Sequence, residues 1–403
     1  MDRYYHTILA NELTKHRQMA FVSGARQVGK TTLAKQISQH FQHAVYLNWD
    51  DIEHRQIILG ETATLVEILG LNRLSAHTPL LILDEIHKYS HWKLFLKGLF
   101  DRFEKQLAIL ITGSARLDVF KKGGDSLMGR YFNYRLHPLT VAELINADWN
   151  ADKLIQAPRA MASEPYAHLY QFGGFPEPFL KANFRFYHRW RRLRQQQLVR
   201  EEIRDVAKVQ EIAKLEMLVL LLEKQAGQVT KYSTLAKQLR VSVDTVRRWL
   251  DVLEGFYYCY RIRPWYQNIT TALRKEPKTY LWDWSSISDN GAKAENFVAS
   301  HLLKAVHAWT DIGLGEFDLY YLRTKDQKEV DFLVTQDHTP MLLVEVKSSM
   351  KAALNPNLAW FQAKTGAKYA FQVTMEANFV NADCFQHTIP IKIPARTFLS
   401  QLV

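Results

Sequence analysis

The run Gly24-Ala25-Arg26-Gln27-Val28-Gly29-Lys30-Thr31 lies between the apolar stretch Met19 to Val22 and the helix-forming stretch Thr32 to His40. Two glycines separated by four residues and followed by Lys and Thr let the backbone curl. Successive N–H groups and the first helical turn then face one point, where the helix dipole favours negative charge. A strand, this loop and a helix in that order predict a phosphate cradle made by Gly24, Ala25, Arg26, Gln27, Val28, Gly29, Lys30, Thr31 and Thr32. Lys30 is expected to reach the terminal phosphates of ATP and Thr31 a magnesium ion.

Whatever holds the phosphates must sit on a sheet. Ala44 to Leu47, Leu80 to Leu83 and Leu107 to Ile111 are short apolar runs alternating with helical patterns, which predicts a parallel α/β sheet. Leu83 is followed by Asp84 and Glu85. A buried strand that delivers two carboxylates to the carboxyl edge of such a sheet gives them separate tasks. Asp84 is placed to hold the magnesium and Glu85 to orient and deprotonate the attacking water. The third run ends in Thr112-Gly113-Ser114, so Thr112 or Ser114 would either sense the γ-phosphate or, for Ser114, cap a helix. Arg116 and Arg130 are expected on that same edge, with Arg130 the preferred group for stabilising the transferred phosphoryl charge in cis or in trans.

Downstream, 183–222 reads as an unbroken helical connector, and Lys181 to Arg200 carries seven basic residues and no acidic one. Thr230 to Leu253 has the spacing of a helix-turn-helix, with Ser242 as N-cap of the second helix and Arg247 and Arg248 exposed on it. Such a helix can lie in a DNA major groove or serve as a protein-packing module, and the aromatic stretch Phe256 to Tyr260 would form a wing. The formal net charge of +11 makes nucleic acid the leading partner class. Only Cys259 and Cys384 are present, which supports neither a disulfide framework nor a zinc site and fits a reducing compartment. With no apolar run of about 18 residues, neither a signal peptide nor a spanning helix is expected, and the reading is cytoplasmic.

Near the C-terminus, Glu329 to Val334 and Met341 to Lys347 read as strands. A three-residue loop centred on His338 would set Asp331 opposite Glu345, with Lys347 on the same face. Two carboxylates and a lysine there, with Glu295 on the preceding helix, could hold magnesium at Glu295, Asp331 and Glu345 and activate a water against a phosphodiester. The plainer reading is a hairpin with a polar outer face. The order helix, three strands, helix, strand favours the former.

Taken together, Gly24 to Thr32, Leu83 to His87, Thr112-Gly113-Ser114, Leu127 to Arg130, Gly173 to Glu177, Glu329 to Phe332 and Glu345-Val346-Lys347 resemble a family of AAA-like ATPases whose C-terminal half is a domain of unknown function with a restriction-endonuclease-like core. The resemblance implies an α/β fold divided into an AAA-like P-loop ATPase domain (1–150), a helical connector (151–225), a winged helix-turn-helix (226–285) and a PD-(D/E)xK nuclease-like αβββαβ domain (286–403). It implies nucleotide binding and hydrolysis, and Glu295, Asp331, Glu345 and Lys347 match the nuclease motif. With the charge and the helix-turn-helix, the first reading is ATP hydrolysis with Lys30, Glu85 and Arg130, coupled to DNA binding and to cleavage by Asp331, Glu345 and Lys347, with a second copy of the chain as a partner if Arg130 acts in trans. The alternative is a nucleotide-switched module that binds nucleic acid or protein through a non-cleaving nuclease-like fold. Gly173 to Glu177 has no chemistry of its own and is expected to be a turn packing the connector onto the ATPase.

Overall fold

The computed structural model describes residues 3–73, 77–113, 127–145, 149–203, 211–265 and 276–403. The chain divides into two compact units, Met1–His137 and Pro138–Val403.

The first unit is a five-stranded sheet of β1 (Met19–Gly24), β2 (Ala44–Asn48), β3 (Leu80–Asp84), β4 (Ala108–Gly113) and β5 (Tyr131–Leu136) in the order β2-β3-β4-β1-β5. Every pairing is parallel, as the alternation of apolar runs and helices predicted. Leu80 to Leu83 are fully buried, because a central parallel strand is covered on both faces and reads as a continuous apolar run. Each such side chain contributes about 1.5–3 kcal/mol by leaving water. The core on one face combines Phe21, Leu83 and Ile111 with Leu96, Phe100 and Phe103 of the helix Trp92–Phe103. β1 and β3 flank the central strand β4, so the loop after one and the carboxylates after the other meet at the same sheet edge across the end of β4.

The second unit is built on a seven-stranded sheet. Its strands are β6 (Cys259–Pro264), β7 (Lys278–Leu281), β8 (Phe317–Arg323), β9 (Glu329–Gln336), β10 (Thr339–Lys347), β11 (Tyr369–Thr374) and β12 (Ile391–Pro394), in the order β12-β11-β10-β9-β8-β6-β7. The helix Asn290–Asp311, strands β8 to β10, the helix Pro356–Thr365 and β11 follow the expected αβββαβ order. The hairpin of β6 and β7 is more than the wing of a separate module, because β6 pairs in parallel with β8 at Arg263 and Pro264 and so extends the same sheet. Two short helices, Tyr232–Leu239 and Val243–Gly255, precede it, and Ser242 Oγ caps the second by accepting from the Thr245 N–H at 3.0 Å.

The Gly173-Gly174 turn is tightly packed. A Cβ on Gly174 would come 2.6 Å from both the Leu139 carbonyl and the Trp284 ring, and 2.8 Å from Pro138. Any side chain there would drive this turn off Trp284 and off residues 138–139, which fall at the end of the stretch expected to be the ATPase domain (1–150) and, by compactness, at the start of the second unit. No helix among the described residues is long and apolar enough to cross a membrane.

Candidate nucleotide site and the carboxylate pocket of the second sheet

β1 ends at Gly24, where a Cβ would lie 2.4 Å from the Leu136 carbonyl of β5, so only glycine lets the loop leave the strand this close to its neighbour. The loop then turns into the helix Lys30–Ser38. Lys30 is buried, and its Nζ donates to the carbonyls of Gly24 at 2.9 Å and Ala25 at 2.8 Å, folding back over the loop it closes. Thr31 Oγ1 donates to Asp84 Oδ2 at 2.9 Å. The loop, Lys30, Thr31 and Asp84 therefore converge as the sequence predicted.

Among the described residues, the hydrogen bonds to the Asp84 carboxylate come from hydroxyls. Tyr46 Oη donates to Oδ2 at 2.7 Å and Thr112 Oγ1 to Oδ1 at 2.6 Å, in addition to Thr31. Burial, the hydrogen bond to Asp84 and the negative charges around it push the Tyr46 phenol well above its usual range, so it stays a donor. Tyr46 was missed in the sequence. It ends no motif, and only the pairing of Tyr46 with Ile82 on the neighbouring strand brings it near Asp84. Two hard oxygens 2.9 Å apart at the mouth of a phosphate loop suit a magnesium ion, and neutral donors leave the negative charge of Asp84 available to one.

Glu85 follows in a left-handed conformation (φ 55°, ψ 21°), which costs a non-glycine residue about 1 kcal/mol. Its N–H donates to the Thr112 carbonyl at 3.0 Å. Oε2 lies 3.4 Å from Nε2 of the buried His87 and 3.8 Å from Lys88 Nζ. Burial raises the carboxyl above its usual range, while Lys30 and Lys88 oppose that rise. A carboxylate with elevated basicity beside a phosphate loop can accept a proton from water.

Arg130 requires a correction. Its carbonyl accepts from the Met19 N–H, and Met19 pairs with Tyr131, so Arg130 stands where β1 and β5 begin. That is the amino edge of the sheet, a strand length of about 20 Å from the loop at the carboxyl edge. There its exposed guanidinium makes two bonds to Asp101, at 2.8 and 3.1 Å. It does not reach the phosphate site of its own chain. Ser114 and Arg116 lie outside the described residues.

In the second unit, the turn between β9 and β10 has two residues, Asp337 and His338, both at positive φ, rather than the three expected. That turn alone would put Asp331 opposite Val344. A bulge between Pro340 and Leu342 shifts the register by one, pairing Val344 with Phe332, so that Asp331 falls opposite Glu345 after all. Asp331 Oδ2 accepts from the Val346 N–H at 2.8 Å, and Glu345 Oε1 accepts from Lys347 Nζ at 2.6 Å and Asn355 Nδ2 at 2.8 Å. Burial and the charges of Glu295 and Glu345 hold the Asp331 carboxyl well above its usual range.

The expected magnesium set of Glu295, Asp331 and Glu345 is not what assembles. Among the described residues no three carboxylate, imidazole or thiol groups come together to hold a metal. Instead Lys278 Nζ of β7 lies 3.1 Å from Glu295, 2.6 Å from Glu329 and 3.8 Å from Asp331. The donor set does not fit a divalent ion while that ammonium stands there. Lys278 went unnoticed because 226–285 reads as a separate winged module, and nothing local in it reveals that its strands join the C-terminal sheet; Glu329 was read only as the start of a strand.

The basic connector is partly internal. Arg191 pairs with Glu223 at 2.8 Å and Arg200 with Glu216 at 2.6 Å, while Arg194 covers the Phe175 ring at 4.0 Å. Arg185, Arg189 and Arg192 remain exposed at i, i+4 and i+7 of the helix Phe184–Gln196, on one face. Arg247 and Arg248 are exposed on the second helix of the helix-turn-helix, Arg247 lying 3.6 Å from Asp244.

Residues 16–145 match an AAA domain family (AAA_14), residues 163–288 a domain of unknown function (DUF8612) and residues 290–393 a further one (DUF4143). An uncharacterized protein of Mycobacterium tuberculosis is 26% identical over 337 residues, covering 80% of this chain and 68% of that one. One of Methanocaldococcus jannaschii is 22% identical over 424 residues, covering 94% and 87%. Among solved structures, the Aeropyrum pernix ORC1 protein in complex with DNA aligns with a TM-score of 0.34 at 13% identity, covering 74% of this chain and 93% of that one. AMPPCP-bound DnaA from Aquifex aeolicus aligns at 0.32 and 14%, covering 61% and 86%. With its parallel sheet, its phosphate loop and these family matches, the chain is an AAA-like protein of the P-loop class carrying a C-terminal DUF4143 domain.

Proposed function

We propose that this chain is an ATPase that hydrolyses ATP at the Gly24–Thr32 loop and couples that reaction to DNA held by its second unit, without cutting it. The observation that carries the reading is the contact of Thr31 with Asp84 beside a raised Glu85. Lys30, whose ammonium rests on the carbonyls of Gly24 and Ala25, is the group for the terminal phosphates. Thr31 and Asp84 would hold magnesium, which supplies positive charge to the phosphate oxygens when bound. Glu85 orients the attacking water and takes its proton. Thr112 fixes Asp84 from the neighbouring strand.

DNA binding is supported by the exposed Arg247 and Arg248, by the ridge of Arg185, Arg189 and Arg192 and by the net charge of +11. The non-cleaving reading is favoured by the Lys278 ammonium among the acids assigned to cleavage. Buried, unbridged Cys259 and Cys384 agree with a cytoplasmic location.

The test is ATP turnover by the wild type and Glu85→Gln, with and without duplex and single-stranded DNA. DNA-stimulated turnover that Glu85→Gln removes is expected. Turnover indifferent to every DNA supplied would detach the second unit from nucleic acid and point to a protein partner.

A further inference from the structure

Lys278 is among the least exposed charged side chains of the second unit, at 5%. It reaches three carboxylates on two other elements, Glu295 of the helix Asn290–Asp311 and Glu329 and Asp331 of β9. Tyr280, two residues along β7 and so on the same face, donates to the same Glu295 Oε1 at 2.6 Å. Arg323 Nε approaches Glu329 from the other side at 3.5 Å, and Lys347 with Asn355 closes on Glu345. Four carboxylates thus face three cationic side chains, all belonging to the protein.

A buried carboxylate cluster is costly without a positive charge among its members. A metal ion is one way to supply that charge; a lysine with three N–H donors, aimed by its strand, is another. The strand that carries Lys278 is stitched to the sheet through β6, so the ammonium is delivered by the fold and needs no loop to close over it. We infer that Lys278 is the resident cation of this pocket and takes the place of a divalent ion, so that the DUF4143 half neither takes up magnesium or manganese nor hydrolyses phosphodiesters. This inference stands independently of hydrolysis at the other unit.

The experiment measures Mn2+ binding to the full, nucleotide-free chain by electron paramagnetic resonance, in an Asp84→Asn background that removes the carboxylate of the nucleotide site. That parent is expected to show no saturable Mn2+ site. Adding Lys278→Gln should create one, bound roughly tenfold or more tightly than any uptake by the parent, and adding Asp331→Asn should abolish it again. If Lys278→Gln lowers the melting temperature, Mn2+ should raise it in that variant and leave the parent unmoved. Two outcomes overturn the inference: a parent Mn2+ site lost in Asp331→Asn or Glu345→Gln, or a Lys278→Gln chain that gains neither binding nor thermal recovery from Mn2+.

Discussion

Both units bring acids to the edge of a sheet, yet they satisfy them in opposite ways. Asp84 is held by the hydroxyls of Thr31, Tyr46 and Thr112, donors that fix its direction and leave its charge intact. Glu295, Glu329 and Asp331 are held by an ammonium that cancels charge as it fixes direction. Hydroxyl donors prepare a carboxylate to receive a cation, whereas a lysine answers the need in advance. Residue types alone, an acid pair here and an acid-rich face there, do not distinguish a site that awaits a ligand from one already complete.

The comparison breaks most readily at Glu85. Glu85→Gln should lower kcat by about 10²–10⁴-fold, the range a positioned general base supplies, while nucleotide binding by fluorescence titration is retained. Near-normal turnover would remove Glu85 from the water's path.

On the other side of the comparison, Lys278→Ala strands three carboxylates, and denaturant unfolding of the second unit should show a loss of about 3–5 kcal/mol at neutral pH without added metal. A loss near zero would mean that water reaches the acids and the ammonium is dispensable.

A smaller effect is expected from replacing Arg185, Arg189 and Arg192 together by Ala. If each meets a phosphate, the slope of log affinity against log salt should flatten by about 2–3 for duplex DNA. An unchanged slope confines DNA, if bound, to the helix-turn-helix.

The acid limb of turnover should lie above the ordinary glutamate value of 4.5, because burial raises the Glu85 carboxyl and the ionised form is the base. Lys88 opposes that rise, so Lys88→Ala should move the limb to higher pH. The stability sign follows from the same shift. A raised folded-state pKa favours the folded chain below the unfolded value, and that contribution is lost as pH rises through the folded one.

The smallest effect belongs to Arg130→Ala, which should leave the turnover of a monomeric chain unchanged, since Arg130 pairs with Asp101 at the far edge of the sheet. A loss that appears only at concentrations where the chain self-associates would assign Arg130 to a neighbouring copy's site.

What could be read from the sequence followed the range of the interactions. The phosphate loop and Asp84-Glu85 are contiguous, and their strands are apolar runs, so both the fold class and these residues were legible. The opposition of Asp331 and Glu345 was reached through a three-residue turn. The chain reaches it by a two-residue turn and a bulge, two departures from the expectation that cancel. Arg130 was misplaced because β5, Tyr-Phe-Asn-Tyr-Arg-Leu, is an edge strand with partly exposed positions and does not stand out as an apolar run, so its start, and hence the edge Arg130 occupies, was not visible. Lys278 was invisible for a different reason. Its importance depends on β6 choosing β8 as a neighbour across more than fifty residues of chain, and periodicity carries no record of such a choice.

That choice of neighbour has a practical side. The stretch matching DUF4143 begins at residue 290, after β6 and β7, so a fragment cut at that boundary would lose the lysine and two of the seven strands together. The newly bared margin of β8 would offer unpaired N–H and C=O groups to any passing copy. Such a fragment is expected to self-associate during purification and to acquire a metal affinity foreign to the intact protein. Starting the fragment before the helix-turn-helix, so that the hairpin travels with its sheet, avoids both artefacts.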